Sequence, residues 1–314
     1  MSRPKVLLLG EVKHAHETWA AIAQQADVIV PQSTDRAGFL AECRSGALDG
    51  YICHNGAGYD SIDIAACTAR GIGVSHTPHA VDDATADLAI WLMLGSLRNL
   101  AVGLGSLRAG RWRGVDNEGK GNLPDKGHDP RGKTLGILGM GGIGRNMARK
   151  AALAFGMKII YHNRTRLAHE DEREAGQANY VGFEELLRES DVLSLNLPLN
   201  PSTKHIISTL QLSQTKPGVV LVNTARGAVI DEAALASFLA RGHVAAVGLD
   251  VYENEPEIHP DLIANPRALL VPHMGTWTVE TERAMEEATM ANVRSALAGT
   301  GLTSGVPEQR GLTL

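Results

Sequence analysis

Three polar segments of the protein carry side chains that could serve a single acid–base reaction. Arg226, Asp250 and His273 each stand at or just after the end of a short aliphatic run. In open α/β sheets, ligands bind outside the carboxyl ends of the strands, so these three groups are predicted to meet at one sheet edge. A guanidinium and a protonated imidazole stabilise negative charge that develops on a reacting group. A carboxylate beside the histidine would favour the protonated imidazole.

A glycine-rich loop is the strongest local motif. The segment Gly139-Met140-Gly141-Gly142-Ile143-Gly144 follows an aliphatic run at 134–138 and opens a helical stretch. In this pattern Gly139 permits a tight turn, Gly141 lets backbone amides approach a pyrophosphate, and Gly144 lets helix and strand pack closely. The helix N-terminus adds partial positive charge. The loop, including Gly142 and Ile143, is therefore predicted to bind a dinucleotide.

The end of the next strand bears on which dinucleotide this is. The run at 158–162 is followed by Asn163-Arg164-Thr165-Arg166 and by no carboxylate of the kind that holds the ribose 2′-hydroxyl of NAD. Arg164, with the side chains of Asn163 and Thr165, is suited to bind a 2′-phosphate. NADP is therefore the preferred prediction, with NAD as the alternative. A solvated basic turn is the other interpretation of these residues.

The alternation of short apolar runs with helical stretches predicts an α/β fold with two doubly wound parallel-sheet domains. One domain is predicted to be discontinuous, comprising residues 1–104 and 286–314, and the second to span 105–285. The glycine-rich stretch 103–132 is interpreted as a helix end and a long connecting loop. The predicted strands are Val6–Leu9, Val28–Val30, Gly50–Cys53, Ile72–Val74, Thr134–Leu138, Lys158–Tyr161, Val192–Leu197, Val219–Asn223, Ala246–Asp250 and Leu269–Val271.

Several spaced motifs together resemble one enzyme family. They are Asn55-Gly56-Ala57-Gly58-Tyr59-Asp60, the run Ala84–Ala89, the glycine loop, Asn223-Thr224-Ala225-Arg226-Gly227 and the strand end that carries His273. In this order they resemble the D-isomer-specific 2-hydroxyacid dehydrogenases. The fungal-type glyoxylate/hydroxypyruvate reductases are most similar, and the D-mandelate dehydrogenases are also similar. The resemblance implies a Rossmann cofactor domain and a flavodoxin-like substrate domain.

The resemblance also implies roles for the polar residues. Arg226 would bind the substrate carboxylate and polarise the 2-oxo group, and His273 would protonate the carbonyl oxygen. Glu255 would hold the other nitrogen of His273, with Glu253 as the competing candidate. Backbone amides of Ala57 and Gly58 would meet the substrate carboxylate.

On the cofactor side, the resemblance places Thr224 and Asp250 near the nicotinamide and gives Gly275 as a further cofactor-binding residue. For Asp250, a role as a turn or cap acid is the alternative. Trp277 is expected either to line the substrate pocket or to pack at a domain interface.

The function implied is NADPH-dependent reduction of small 2-oxo acids, glyoxylate and hydroxypyruvate, with His273 as general acid. A dehydrogenase of D-mandelate or of branched D-2-hydroxy acids is the alternative. In another class, a dinucleotide-sensing corepressor-like scaffold also resembles this family. A homodimer follows by family analogy.

Composition and charge exclude other classes of function. The net charge of −5 argues against a general nucleic-acid or anionic-membrane binder, and no apolar stretch approaches the ~18 residues of a membrane span. Three cysteines without a paired spacing, and an apolar run near the start that is too short for a signal peptide, predict a cytoplasmic protein. His76 and His79 lack the further ligands that a zinc site needs, so no metal is expected.

Overall fold

The computed structural model describes residues 4–8, 11–29, 50–116, 118–121 and 126–312. The molecule comprises two compact units. We call residues 1–81 with 277–314 the terminal unit, and residues 82–276 the central unit. Two predicted strand ends, Leu9 and Val30, lie outside the described residues.

Strands and helices alternate along the described residues. The strands are β1 Lys5–Leu7, β2 Asp27–Ile29, β3 Tyr51–Cys53, β4 Gly73–Ser75, β5 Thr134–Leu138, β6 Lys158–His162, β7 Asn179–Tyr180, β8 Val192–Leu195, β9 Val219–Asn223, β10 Val244–Leu249 and β11 Ala268–Leu270. The α-helices are α1 His16–Gln25, α2 Ile64–Ala69, α3 Asp82–Leu97, α4 Leu100–Arg108, α5 Gly142–Phe155, α6 His169–Glu174, α7 Phe183–Glu189, α8 Thr209–Gln214, α9 Glu232–Ala240, α10 Pro260–Ala264 and α11 Val279–Leu297.

The central unit is built on a seven-stranded sheet in the order β11-β10-β9-β8-β5-β6-β7. All neighbours pair in parallel, and β8 and β9 are buried along their whole length. Such aliphatic strands need cover on both faces. Two apolar clusters supply it, one including side chains of α3 and α5 and the other side chains of α7 to α9. Strand order reverses between β5 and β8, which makes this the switch point of a doubly wound sheet.

The terminal unit contains two parallel strand pairs in its described part, β1 with β2 and β3 with β4. Helix α11 packs against α1 and β3, where Met290 joins Ala15 and Ile22 in a small buried cluster. A short 3₁₀ turn, Pro307–Gln309, follows, and Gln309 bonds to Val74 and Ile72. The parallel pairing and the central sheet confirm the α/β class.

The compact units differ from the predicted domain limits. The central unit begins at Asp82 because α3 buries Ala86, Leu92 and Met93 in one of the two apolar clusters of the sheet. It ends at Thr276, and α11, predicted to belong partly to the second domain, lies entirely in the terminal unit.

Helix α4 begins at Leu100 and ends at Arg108, so residues 103–108 are the helix end that the interpretation of 103–132 expected. Among the described residues no single helix is long and apolar enough to span a membrane, although the bent pair α3 and α4, 73° apart, meets the length and composition test together.

Candidate active site

The glycine loop joins β5 to α5 at the switch point of the central sheet. Gly139 has φ +96°, a backbone conformation that residues with a Cβ rarely adopt. Its amide donates a hydrogen bond to His162 O at 3.1 Å. Gly141 is the N-cap of α5, with Gly142, Ile143 and Gly144 in its first turn. A Cβ on Gly144 would lie 2.5 Å from Gly139 O, so the predicted close packing is present.

Asn163, at the end of β6, holds this loop from the side. Its Oδ1 accepts a hydrogen bond from Met140 N at 2.7 Å, and its backbone carbonyl accepts one from Tyr180 Oη at 3.1 Å. The side chain was predicted to contact a 2′-phosphate. Its oxygen accepts from the glycine loop, while its amide nitrogen, the group that could donate to a phosphate, makes no hydrogen bond among the described residues, so the phosphate contact stays a prediction.

Two arginines follow Asn163, and their surroundings differ. Arg166 donates through Nε and Nη2 to Glu172 at 2.8 and 2.9 Å, and Tyr161 Oη donates to the same carboxylate at 2.8 Å. These donors lower the pKa of Glu172 to about 2. Arg164 and Thr165 are exposed, and within the described ranges Arg164 makes neither a hydrogen bond nor an ion pair.

Arg226 lies in a loop that Asn223 shapes from the end of β9. Asn223 Oδ1 accepts from Ala225 N at 3.0 Å, while its Nδ2 donates to Arg226 O at 2.9 Å. The Arg226 Nη1 donates to Ala225 O at 2.7 Å. A Cβ on the next residue, Gly227, would lie 1.8 Å from Tyr252 C, so only glycine lets these two segments pass so closely.

Asp250 holds the turn that carries His273. Its two carboxylate oxygens accept hydrogen bonds from the amides of Met274 and Gly275, and its carbonyl accepts from His273 N at 2.8 Å. His273 has φ +53°, a strained position for a histidine. Burial raises the pKa of Asp250. Asp250 therefore acts as a turn acid in this structure, which was the alternative role given for it. Its contact with the nicotinamide stays a prediction.

Glu255 and His273 form a hydrogen-bonded pair. Nδ1 of His273 lies 2.9 Å from Glu255 Oε2, and Glu255 Oε1 accepts from Tyr252 N at 2.9 Å. The competing candidate, Glu253, instead lies 2.7 Å from His205 Nε2. The structure thus places Glu255, and not Glu253, on His273. The Nε2 of His273 makes no hydrogen bond to any residue that the structure describes.

The terminal unit carries Ala57 and Gly58 in a turn after β3. Both residues are half-buried, and their carbonyls accept hydrogen bonds from the rings of His76 and His54. Trp277, at the start of the last segment of this unit, is 62% exposed.

Comparisons with known proteins identify the family. Residues 90–275 match the model described as D-isomer specific 2-hydroxyacid dehydrogenase, NAD binding domain. The chain is 47% identical to 4-methyl-2-oxopentanoate reductase A of Aspergillus oryzae over 98% of its own length and 99% of that protein. The chain belongs to the D-isomer specific 2-hydroxyacid dehydrogenase family.

Solved structures agree over the whole length. A glyoxylate reductase from Paecilomyes thermophila is 49% identical, with a TM-score of 0.91 over 99% of this chain and 100% of that one. The holo form of D-mandelate dehydrogenase from Rhodotorula graminis is 32% identical, with a TM-score of 0.87 over 98% of each protein. The resemblance and the Rossmann cofactor domain are thereby confirmed, and the protein is an NAD(P)-dependent 2-hydroxyacid dehydrogenase.

The residues at the sheet edge fit a nicotinamide dinucleotide. The glycine loop and the first turn of α5 form a cradle for a pyrophosphate. Two buried polar atoms at neighbouring strand ends, Thr224 Oγ1 and Asn196 Oδ1, have no hydrogen-bond partner among the described residues. Buried polar atoms are normally paired, so these two are suited to a bound ligand. Thr224 was predicted to lie at this site, whereas Asn196 was not.

Four residues that shape the site were not predicted as site residues. Asn223 and Gly227 were seen only as parts of a motif and Tyr161 only as the end of a predicted strand, while Glu172 carried no signal in the sequence. A glycine directly after the candidate Arg226 was the one available hint of a close backbone approach. No group of three or more metal-binding side chains occurs in the parts of the protein that the structure describes.

Proposed function

We propose that this protein reduces small 2-oxo acids to 2-hydroxy acids, with glyoxylate and hydroxypyruvate as the first substrates and NADPH as the preferred cofactor. The single observation that carries the proposal is the Glu255–His273 pair at the carboxyl edge of the central sheet. It presents an imidazole whose far nitrogen is available to a substrate, supported from behind by a carboxylate.

His273 is proposed as the general acid. The Glu255 carboxylate can only accept a hydrogen bond. Nδ1 of His273 therefore carries a proton and donates a hydrogen bond to Oε2 at 2.9 Å. A second proton on Nε2 is then the one delivered to the carbonyl oxygen. The cofactor, when bound, supplies the hydride to carbon 2. Such acid assistance contributes ~10²–10⁴ in rate.

Arg226 and the Ala57–Gly58 turn are proposed to recognise the substrate carboxylate, and Arg226 also to polarise the 2-oxo group. Asn223 supports this role because its side chain bonds to both Ala225 N and Arg226 O, which fixes the backbone that carries Arg226. A guanidinium matches carboxylate geometry with two parallel donors.

The preference for NADPH rests on Arg164. Arg166 is neutralised by Glu172, whereas Arg164 is exposed and without a partner in the described ranges. No carboxylate follows β6 at the position that would repel a 2′-phosphate. A phosphate therefore meets one unneutralised guanidinium at this turn.

A larger substrate is the second candidate. The relatives named above include reductases or dehydrogenases of 4-methyl-2-oxopentanoate and mandelate, at 47% and 32% identity. Initial rates of NADPH and NADH oxidation with glyoxylate, hydroxypyruvate, 4-methyl-2-oxopentanoate and phenylglyoxylate decide between them. Higher kcat/KM for the two small acids with NADPH supports the proposal, and higher kcat/KM for either bulky acid overturns the substrate assignment.

A cytoplasmic homodimer is proposed as the working form. Leu100, Leu104 and Leu107 line one face of α4 at i, i+4 and i+7 and are 40%, 44% and 58% exposed, with Trp112 72% exposed nearby in sequence. An apolar helix face of this kind is typical of association surfaces. Unpaired Cys53 and Cys67 support a reducing compartment. Sedimentation equilibrium that returns the monomer mass at micromolar concentration would contradict the dimer.

A further inference from the structure

Three consecutive carbonyl groups in the turn after β3 are all held by donors of the terminal unit. Gly56 O accepts from Thr77 N at 2.9 Å. Ala57 O accepts from His76 Nδ1 at 2.8 Å, and Gly58 O accepts from His54 Nε2 at 2.9 Å. Two of the three donors are therefore histidine rings, and each uses a different ring nitrogen.

The amide groups of the same peptides point the other way. In a trans peptide the C=O and the N–H are antiparallel, so fixing the carbonyls of 56, 57 and 58 directs the N–H groups of Ala57, Gly58 and Tyr59 away from the donors. Among the described residues none of these three amides has a hydrogen-bond acceptor. Unpaired amides in a turn are suited to bind an anion.

The two histidines are themselves held in place. The carbonyl of His76 accepts from Ser304 Oγ at 2.6 Å, and its ring meets the edge of Tyr59 at 5.0 Å between centroids. The backbone amide of His54 donates to Ser75 O at 3.0 Å. A Cβ on Gly56 would lie 2.6 Å from His54 Nε2, so the ring fills the space beside this glycine.

We propose that His54 and His76 are positioning residues that orient the turn 56–59 for an anionic carboxylate. A hydrogen bond to a peptide carbonyl also polarises that peptide, which makes its N–H a better donor. Each imidazole therefore acts on the anion through one peptide group, His76 through the amide of Gly58 and His54 through the amide of Tyr59. This inference rests on the proposed function, in which the same turn binds the substrate carboxylate.

The test exploits the two ring nitrogens. The amide nitrogen of asparagine superimposes on Nδ1 of histidine, and that of glutamine on Nε2. His76→Asn and His54→Gln therefore keep the donor, whereas His76→Ala and His54→Ala remove it. The alanine variants are expected to raise KM for glyoxylate by ~10-fold each, because the peptide that donates to the carboxylate is no longer oriented and polarised, with kcat changed less than ~3-fold. The Asn and Gln variants should recover most of that loss.

A neutral substrate separates anion recognition from general damage. Methyl pyruvate lacks the carboxylate of pyruvate, so its KM should be the same in wild type and both alanine variants, while KM for pyruvate rises. His16→Ala, an exposed histidine at the start of α1, is the matched control and should change neither value. NADPH binding and thermal melting verify that each variant is folded.

The outcomes distinguish the inference from the function on which it rests. A wild-type enzyme that turns over none of the 2-oxo acids would overturn the proposed function. An active wild type with unchanged KM for pyruvate in both alanine variants would overturn the histidine roles alone. Equal KM increases for pyruvate and methyl pyruvate, or Asn and Gln variants as impaired as alanine, would also overturn them.

Discussion

Two histidine–glutamate pairs in the central unit have the same chemistry and opposite geometry. In one, Glu255 lies 2.9 Å from Nδ1 of His273, and in the other, Glu253 lies 2.7 Å from Nε2 of His205. The glutamates are two residues apart in sequence, and the histidine side chains are 49% and 37% exposed. Exposure alone therefore does not distinguish them.

The difference lies in which nitrogen the carboxylate occupies. Glu253 takes the distal nitrogen of His205, so the tip of that ring is engaged within the protein. Glu255 takes the proximal nitrogen of His273, which leaves the distal nitrogen for a substrate. The amide of Glu253 is also bonded to the buried Glu232 at 2.6 Å. One pair is thus positioned to hold a loop, and the other to act on a ligand.

The largest expected effect comes from His273→Ala. Removal of the proposed acid should lower kcat for glyoxylate reduction by at least ~10²-fold and leave the Kd of NADPH nearly unchanged. The matched variant His205→Ala should keep kcat within ~3-fold. Steady-state rates and cofactor titration measure both. Near-normal turnover by the His273 variant would remove it from the mechanism.

Glu255→Gln should lower kcat by roughly 10-fold, because the neutral amide no longer favours the protonated imidazole that acts as general acid. Glu253→Gln, two residues earlier, removes the same charge from the other pair and should have little effect on kcat. If the two variants lost activity equally, the distinction between the pairs would fail.

A similar contrast between an engaged and an available group separates Arg164 from Arg166. Arg164→Ala should raise KM for NADPH by ~10-fold and change KM for NADH little, because only NADPH carries the 2′-phosphate. Arg166→Ala removes a partner of Glu172 and should shift both cofactors alike. Equal losses with NADPH and NADH in the Arg164 variant would contradict the proposed NADP preference.

His205→Ala should have a small effect on stability. The pair with Glu253 is partly exposed, so its loss is expected to lower the free energy of unfolding by about 0.5–1 kcal/mol. Urea denaturation followed by circular dichroism measures this. A loss several times larger would mean that the pair supports more than the loop 252–255.

The smallest expected effect concerns acid stability. Donors from Arg166 and Tyr161 lower the pKa of Glu172 from 4.5 to about 2. The carboxylate therefore stabilises the fold above about pH 4.5, and this contribution is lost as the pH falls toward 2. The difference in melting temperature between wild type and Glu172→Gln should shrink over that interval. A difference independent of pH would contradict the assigned cause.

Much of the central unit could be predicted because its strands are continuous aliphatic runs. Thr134–Leu138 and Val219–Asn223 have the predicted bounds. The two-residue strand Asn179–Tyr180 was missed, since a segment so short carries no periodicity. Only the end of helix α4 was predicted, because its glycines, Gly103 and Gly105, have a low helix propensity.

At the site, local motifs predicted which residues gather but not how each is used. The sequence did not show that Asn163 also holds Met140 through its side-chain oxygen, or that Asp250 holds the turn at His273. Hydrogen-bonding side chains of this kind choose among partners that lie far away in sequence. The Glu172 network with Tyr161 and Arg166 is an example that no spacing rule predicts.

The sequence by itself determined the α/β class, the dinucleotide loop and the identity of the residues at the sheet edge, because hydrophobic periodicity and glycine spacing are local properties of the polypeptide. Only the tertiary structure decided which glutamate meets His273, which arginine stays available and which ring nitrogens of His54 and His76 hold the turn at 56–59. These choices depend on how segments remote in sequence lie relative to one another. A hydrogen bond forms only within a narrow range of donor–acceptor distances, so small displacements decide which partner is used.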